Sequence, residues 1–162
     1  MRRRLFRRFK SSSPELVTSQ LYDELTFYRA FIRDLNNCVT EAVIESPFIT
    51  SNRVARLLPI FRKMRSRKVR INVNTRHPAE HQAPYDAQAW RAIRQLQEMD
   101  IQVLFTGGHH RKLAILDRRV LWEGSLNVLS QNASYEVMRR TESELLAQQM
   151  IEFIKIGGFL EW

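Results

Sequence analysis

Segments of strand and helix character alternate along this chain, and that alternation leaves few architectures open. Ala42 to Ile49 (AVIESPFI) reads as a strand that ends near Pro47. Val69 to Asn74 (VRINVN) alternates apolar and polar residues, and Ile101 to Phe105 reads as a third strand. Two helical stretches separate them. In the first, Asn52 can cap a helix whose Val54, Leu57, Leu58 and Phe61 form one apolar stripe, although Pro59 should kink or split it. In the second, Asp86 can serve as the cap, with Trp90, Ile93 and Leu96 facing inward. Strand–helix–strand–helix–strand with helices of this length builds parallel neighbours.

After the turn at Gly107-Gly108, the unbroken apolar run Leu113 to Leu116 reads as a buried strand. Val120 to Trp122 and Tyr135 to Arg140 are further strands, and a hairpin here adds antiparallel pairs. At the ends of the pattern, Leu21, Leu25, Tyr28, Ile32 and Leu35 place a helix over Leu16 to Asn37. A closing helix over Glu144 to Ile156 has Leu145, Met150, Phe153 and Ile154 as core contacts and stops at Gly157-Gly158. The expected fold is α/β: a mixed, partly parallel β-sheet flanked by helices on both faces.

The chain has 162 residues, enough for one domain with a substantial core, and we assign that domain to residues 14–162. Residues 1–13 read as a basic flexible arm: Arg2, Arg3, Arg4, Arg7, Arg8 and Lys10 stand without an acid and are followed by Ser11, Ser12 and Ser13. The net charge is +9, and the arm supplies six of those charges. The remaining excess is uneven. From Arg53 through Arg56, Arg62, Lys63, Arg65, Arg67 and Lys68 to Arg70 and Arg76 no acidic residue intervenes. Such a block attracts a polyanion, and we take Arg53 to Lys68 as candidate nucleic-acid contacts. No apolar run reaches the ~20 residues that span a bilayer, although Leu5, Phe6 and Phe9 would let the arm touch an acidic membrane surface. Cys38 is the sole cysteine, which excludes an intrachain disulfide and fits a reducing, cytoplasmic setting.

The chemistry concentrates between residues 110 and 127. His110 and Lys112 lie two apart, so they project from one face of the strand. Asp117 follows, then Gly124, Ser125 and Asn127. A phosphodiester resists attack because it is anionic and its alkoxide leaves poorly. A catalyst must neutralise the equatorial oxygens, supply a nucleophile and protonate the leaving oxygen. A neutral His110 can attack phosphorus; Lys112 and Asn127 can hold the oxygens, and Ser125 can add a hydroxyl.

These residues resemble the signature of the phospholipase D superfamily, H-x-K-x4-D-x6-G-S-x-N, with each specified letter and interval present. The continuation Val128 to Arg140 (VLSQNASYEVMRR) looks like the segment after the motif in bacterial nuclease-like members. By motif the likeness covers about residues 109 to 140, and by order of elements about 38 to 156. It implies a mixed sheet between helical layers and a phosphohistidine intermediate on His110. It also implies an acidic residue that holds the second ring nitrogen, with Glu136 the candidate and Glu142 its competitor, while Asp117 orders the turn after the motif strand. Active members use two motif copies and this chain has one, so the likeness implies a homodimer with one site shared across a two-fold axis.

No metal or other cofactor is expected. His77 and His81 sit in a proline-containing loop, and adjacent His109 and His110 point to opposite faces of a strand, which is poor geometry for a zinc set. The motif defines phosphodiester chemistry rather than a substrate, and charge decides among substrates here. The expectation is a metal-independent nuclease, DNA before RNA. A catalytically silent nucleic-acid-binding dimer and a membrane-associated phospholipase are the alternatives.

Overall fold

Every second residue of the central strands faces one of two apolar layers, and that alternation organises the molecule. The computed structural model describes residues 17–130 and 133–156. The elements run β1 (Thr18–Asp23), α1 (Phe27–Asn37), β2 (Glu41–Glu45), α2 (Ser51–Ser66), β3 (Arg70–Thr75), a short 3-10 turn (Pro78–Glu80), α3 (Tyr85–Gln97), β4 (Gln102–Phe105), β5 (Leu113–Leu116), β6 (Val120–Gly124), β7 (Val137–Glu142) and α4 (Glu144–Ile154). The strands form one sheet in the order β1-β7-β6-β5-β2-β3-β4. β2, β3 and β4 pair in parallel, and every other pairing is antiparallel. The mixed α/β sheet expected from the sequence is therefore the fold.

One face carries Ala42, Ile44, Ala114, Leu116 and Trp122 and packs against α1, α2 and α3. The other presents Val43, Leu113, Ile115 and Leu121 to Ala147, Ile151 and Ile154 of α4. Trp122 is fully buried, caged by Tyr22, Phe27 and Phe31 at ring-centroid distances of 5.0, 5.2 and 6.0 Å. Its indole donates to Asp34 Oδ2 at 2.9 Å, and Arg140 Nε donates to the same oxygen at 2.6 Å, so the polar edge of the cage is satisfied.

Several local expectations change. Residues 18–23 form β1 rather than the first turns of a helix. This edge strand pairs through its backbone with β7, and Leu21 and Leu25 are exposed. The buried stripe of α1 is Phe27, Phe31 and Leu35; of the expected helical contacts Leu35 is fully buried, while Tyr28 and Ile32 pack at the margin of the core. The cap of α2 is Thr50, whose side chain accepts from Arg53 N, not Asn52. Pro59 neither splits nor ends α2; it is exposed, so its ring and missing N–H fall on the solvent side. Asp86 lies in the first turn of α3 after Pro84, the N-cap, which makes no side-chain cap. Trp90 and Phe153 face outward rather than inward. The arm and Gly157-Gly158 lie outside the described residues, among which no helix is long and apolar enough to cross a membrane.

Candidate active site

The strand directions gather the chemistry at one end of the sheet. β2, β3 and β4 end there, β5 and β7 begin there, and β6 arrives carrying Gly124. His110, Lys112, Ser125, Asn127 and Glu136 occupy this end. Asp117 and Glu142 lie at the other, beside Glu41 and Val120.

His110 and Lys112 sit on the extended lead-in to β5 rather than within the strand itself. Lys112 Nζ donates to His110 O at 2.8 Å, which draws the ammonium back beside the histidine. The His110 side chain is exposed and its ring makes no hydrogen bond among the described residues. Both residues border an open cleft of about 470 Å³, with Arg111, Glu123 and Arg139 as its other charged groups and Leu21, Leu113, Val137, Met150 and Phe153 as its apolar wall. The Arg111 guanidinium is engaged by Glu45 through both Nε and the second guanidine nitrogen, the latter at 2.8 Å. Glu45 is fully buried and also accepts from Asn74 Nδ2 at 2.7 Å, and Asn74 Oδ1 accepts from Thr106 at 3.0 Å. This network clamps the backbone that carries His110. Its only sequence signal is an unpaired acidic letter inside an apolar strand.

The motif glycine has a steric reason. A Cβ on Gly124 would lie 2.1 Å from Val137 O and 2.9 Å from Met138 Cα. The missing side chain lets β6 and β7 close, so that Ser125 N donates to Val137 O at 2.9 Å and Val137 N donates to Ser125 Oγ at 3.1 Å. Ser125 Oγ in turn donates to Glu136, whose other oxygen accepts from Ser134 Oγ at 2.7 Å. Glu136 thus holds two serines, and no hydrogen bond joins it to His110. Its competitor Glu142 pairs with Arg119 and Arg140 at the far end of the sheet. Glu123, which sequence reasoning passed over, is a second carboxylate on the His110 side.

Asn127 faces a separate cleft with Phe48, Arg76, His81, Tyr85 and Ser130, and its Oδ1 is buried without a hydrogen bond. Asn127 thus stands at the same end of the sheet as His110 and Lys112 but lines a neighbouring hollow. Asp117 accepts from the amides of Val39, Thr40 and Glu41 at 2.9, 2.7 and 3.1 Å and from the Thr40 hydroxyl at 2.7 Å. Burial pushes the Asp117 carboxyl up, but these bonds outweigh it and hold the group below its ordinary range. Cys38 lies against the same carboxylate, and burial first, then the Asp117 charge, pushes its thiol up to about 12, which keeps it protonated and inert.

The remaining histidines are dispersed. His77 stands edge-on in an aromatic cluster with Trp90 and Phe105, and His81 lies against Phe48 at 5.0 Å. His109 is buried, and that burial lowers its pKa so that it stays neutral; Glu45 opposes the shift and Arg111 adds to it. Among the described residues no group of three or more His, Cys, Asp and Glu could hold a metal ion.

The basic block is divided by the length of α2, whose 16 residues span about 24 Å. Arg53 and Arg56 stand near its start, at the motif end; the Arg53 guanidinium lies 3.8 Å over the Tyr28 ring. Arg62, Lys63, Arg65, Arg67 and Lys68 lie at the distal end. Arg65 is engaged by Asp100 and by Val69 O at 3.0 Å, and Arg67 by Cys38 O at 3.2 Å.

The family model described as cardiolipin synthase, PLD-like domain, matches residues 31–156, and the chain belongs to this phospholipase D-like family. Among solved structures it is similar to NucT from Helicobacter pylori, with 17% identity over 86% of this chain and 94% of that one and a TM-score of 0.70. It is also similar to Nuc from Salmonella typhimurium, a phospholipase D family member, with 13% identity over 85% and 91% and a TM-score of 0.68. Polyphosphate kinase from Porphyromonas gingivalis matches with 12% identity over 90% of this chain but 26% of its own, at a TM-score of 0.68. At these identities the likenesses establish the fold. No curated protein sequence matches the chain.

Proposed function

We propose that this phospholipase D-like chain is a metal-independent nuclease that works as a homodimer through a phosphohistidine. The observation that carries the reading is the exposed His110 imidazole, free of hydrogen bonds among the described residues and set beside Lys112 and Arg139 at the mouth of one cleft. A neutral ring nitrogen there attacks phosphorus, forming a P–N bond as the P–O bond to the leaving nucleotide breaks. Lys112 and Asn127 take the charge of the equatorial oxygens. The departing alkoxide collects a proton from the partner's His110, which then acts as base for the water that hydrolyses the P–N bond. Glu136 orients the site by fixing Ser125 and the β6–β7 junction.

The dimer supplies what one chain lacks: a general acid for the leaving group. The apolar wall of Leu21, Val137 and Phe153, 62, 49 and 57% exposed beside His110, supports a surface that a second copy covers. The same wall would suit an acyl chain, which makes a lipid phosphodiesterase the second reading. Charge favours nucleic acid: Lys112, Arg139, Arg53 and Arg56 stand at the motif end, and six further cations lie in residues 1–13.

The test is cleavage of labelled single- and double-stranded DNA and RNA, and of phospholipid vesicles, with chelator present. Wild type should cleave nucleic acid, and His110→Ala should lose at least about 10³-fold in rate while still binding. Unchanged activity in His110→Ala sinks the assignment, and cleavage of lipid alone moves it to the second reading.

A further inference from the structure

The opposite flank of the sheet carries a second exposed aromatic surface that the proposed chemistry leaves unused. β4 is the last strand, and its final residue Phe105 is 42% exposed; Trp90 on α3 is 41% exposed. Their rings lie 6.3 Å apart, and His77 stands edge-on to them at 5.1 and 5.4 Å. These rings are held by one another rather than scattered. Arg91 and Arg94 line the same hollow as Trp90, are exposed, and pair with no carboxylate among the described residues. Glu98 shares a neighbouring hollow with both arginines but pairs with neither, and Asp86 lies in the first turn of α3, accepting from Ala87 N at 2.7 Å. Tyr85, the exposed first residue of α3, lines the cleft that holds Asn127, at the motif end of the sheet.

We infer that this flank is a stacking platform for single-stranded nucleic acid, with Trp90 and Phe105 taking base faces and Arg91 and Arg94 the neighbouring phosphates. The inference rests on the nuclease reading and deepens it by naming the form of the substrate. Every base has a π-face, and stacking on a protein ring is tolerant of sequence. In a duplex those faces are already covered by neighbouring pairs, and the outside that meets the protein is sugar and phosphate, which gains nothing from aromatic rings. Only an unpaired strand can use the platform. β4 and β5 are three strand spacings apart, about 14 Å across the sheet, so a strand held here passes His110 within a few nucleotides.

The experiment measures fluorescence anisotropy of a labelled oligothymidylate and of its duplex with oligoadenylate, using the full chain carrying His110→Ala so that neither is cut. Trp90→Ala and Phe105→Ala should each weaken single-strand binding about tenfold, the loss of one stacked base, and leave duplex binding within about twofold. Trp90→Phe keeps a ring and should retain most of the affinity. Melting curves by circular dichroism establish that the variants fold. Where a ring variant does not fold, Arg91→Ala with Arg94→Ala reads the same surface: weaker single-strand binding with a shallower salt dependence is expected. Folded ring or arginine variants that bind the single strand like the parent, or that lose single-strand and duplex affinity alike, overturn the platform. Cleavage by wild type, assayed separately, would then still support the nuclease. A wild type that neither binds nor cuts any nucleic acid overturns both.

Discussion

Asp117 and Arg118 both have φ of +51°, two left-handed residues in succession, and neither is a glycine. The surroundings hold that conformation: the Asp117 carboxylate gathers the amides of residues 39–41, and Arg118 pairs with Glu41. A carboxylate is needed because every partner donates. An asparagine would turn a donor of its own toward those amides and leave them short of acceptors. Asp117→Asn should therefore cost about 2 kcal/mol by urea unfolding while activity per folded molecule changes little. The pH dependence has a definite sign. A carboxyl held below its ordinary 3.8 contributes stability at neutral pH and loses it as pH falls through the lower folded value. The gap between wild type and variant should thus narrow as the pH falls below the ordinary carboxylate value of 3.8. A large fall in turnover at unchanged stability would instead give Asp117 a part in the chemistry.

At the scale of elements, β6 and β7 decide whether the motif is assembled. The approach at Gly124 joins Ser125 and Glu136, so Gly124→Ala forces Val137 O away and disturbs both. We expect about 2–3 kcal/mol of destabilisation and about 10²-fold lower kcat, measured on protein still folded at the assay temperature. A folded Gly124→Ala enzyme with wild-type turnover would detach this junction from catalysis. The strands that sequence patterns revealed are those buried along nearly their whole length. β2, β3 and β5 sit in the middle of the sheet, and their apolar runs mark them. β1 was illegible because it is an edge strand held by backbone pairing to β7, with only Tyr22 packed on the core. Its leucines mimic the helical stripe that follows. Phe153 and Trp90 were misread for a related reason: large apolar side chains on a helix read as core whether or not anything covers them. The motif letters were legible because their spacing is local, whereas the Glu45–Arg111–Asn74 clamp joins residues far apart in sequence, so only the fold reveals it.

Over the whole molecule the unpaired chemistry and the uncovered apolar surface coincide. The β1–β7 flank with α4 exposes Leu21, Val137 and Phe153 around His110, while Asn127 opens into a different cleft. On the proposed mechanism a monomer would leave His110 without an acid and the wall in water; a two-fold contact on this flank would answer both, since an isologous interface would bring each chain's motif to its partner's. Charge argues the same way, because the distal cations of α2 are far from one chain's site, and two copies of the near set double the field at the shared one. A site shared in this way would have a kinetic consequence that size measurements alone do not reach. If each active centre needs His110 from both chains, a mixed dimer of wild type and His110→Ala is dead. After unfolding and refolding the two proteins together, activity should then follow the square of the wild-type fraction, so an equal mixture retains about a quarter of it. Independent sites would retain about half, in proportion to the wild-type chains present. A linear dependence in protein that sediments as a dimer would leave the interface standing and remove the partner's His110 from the mechanism.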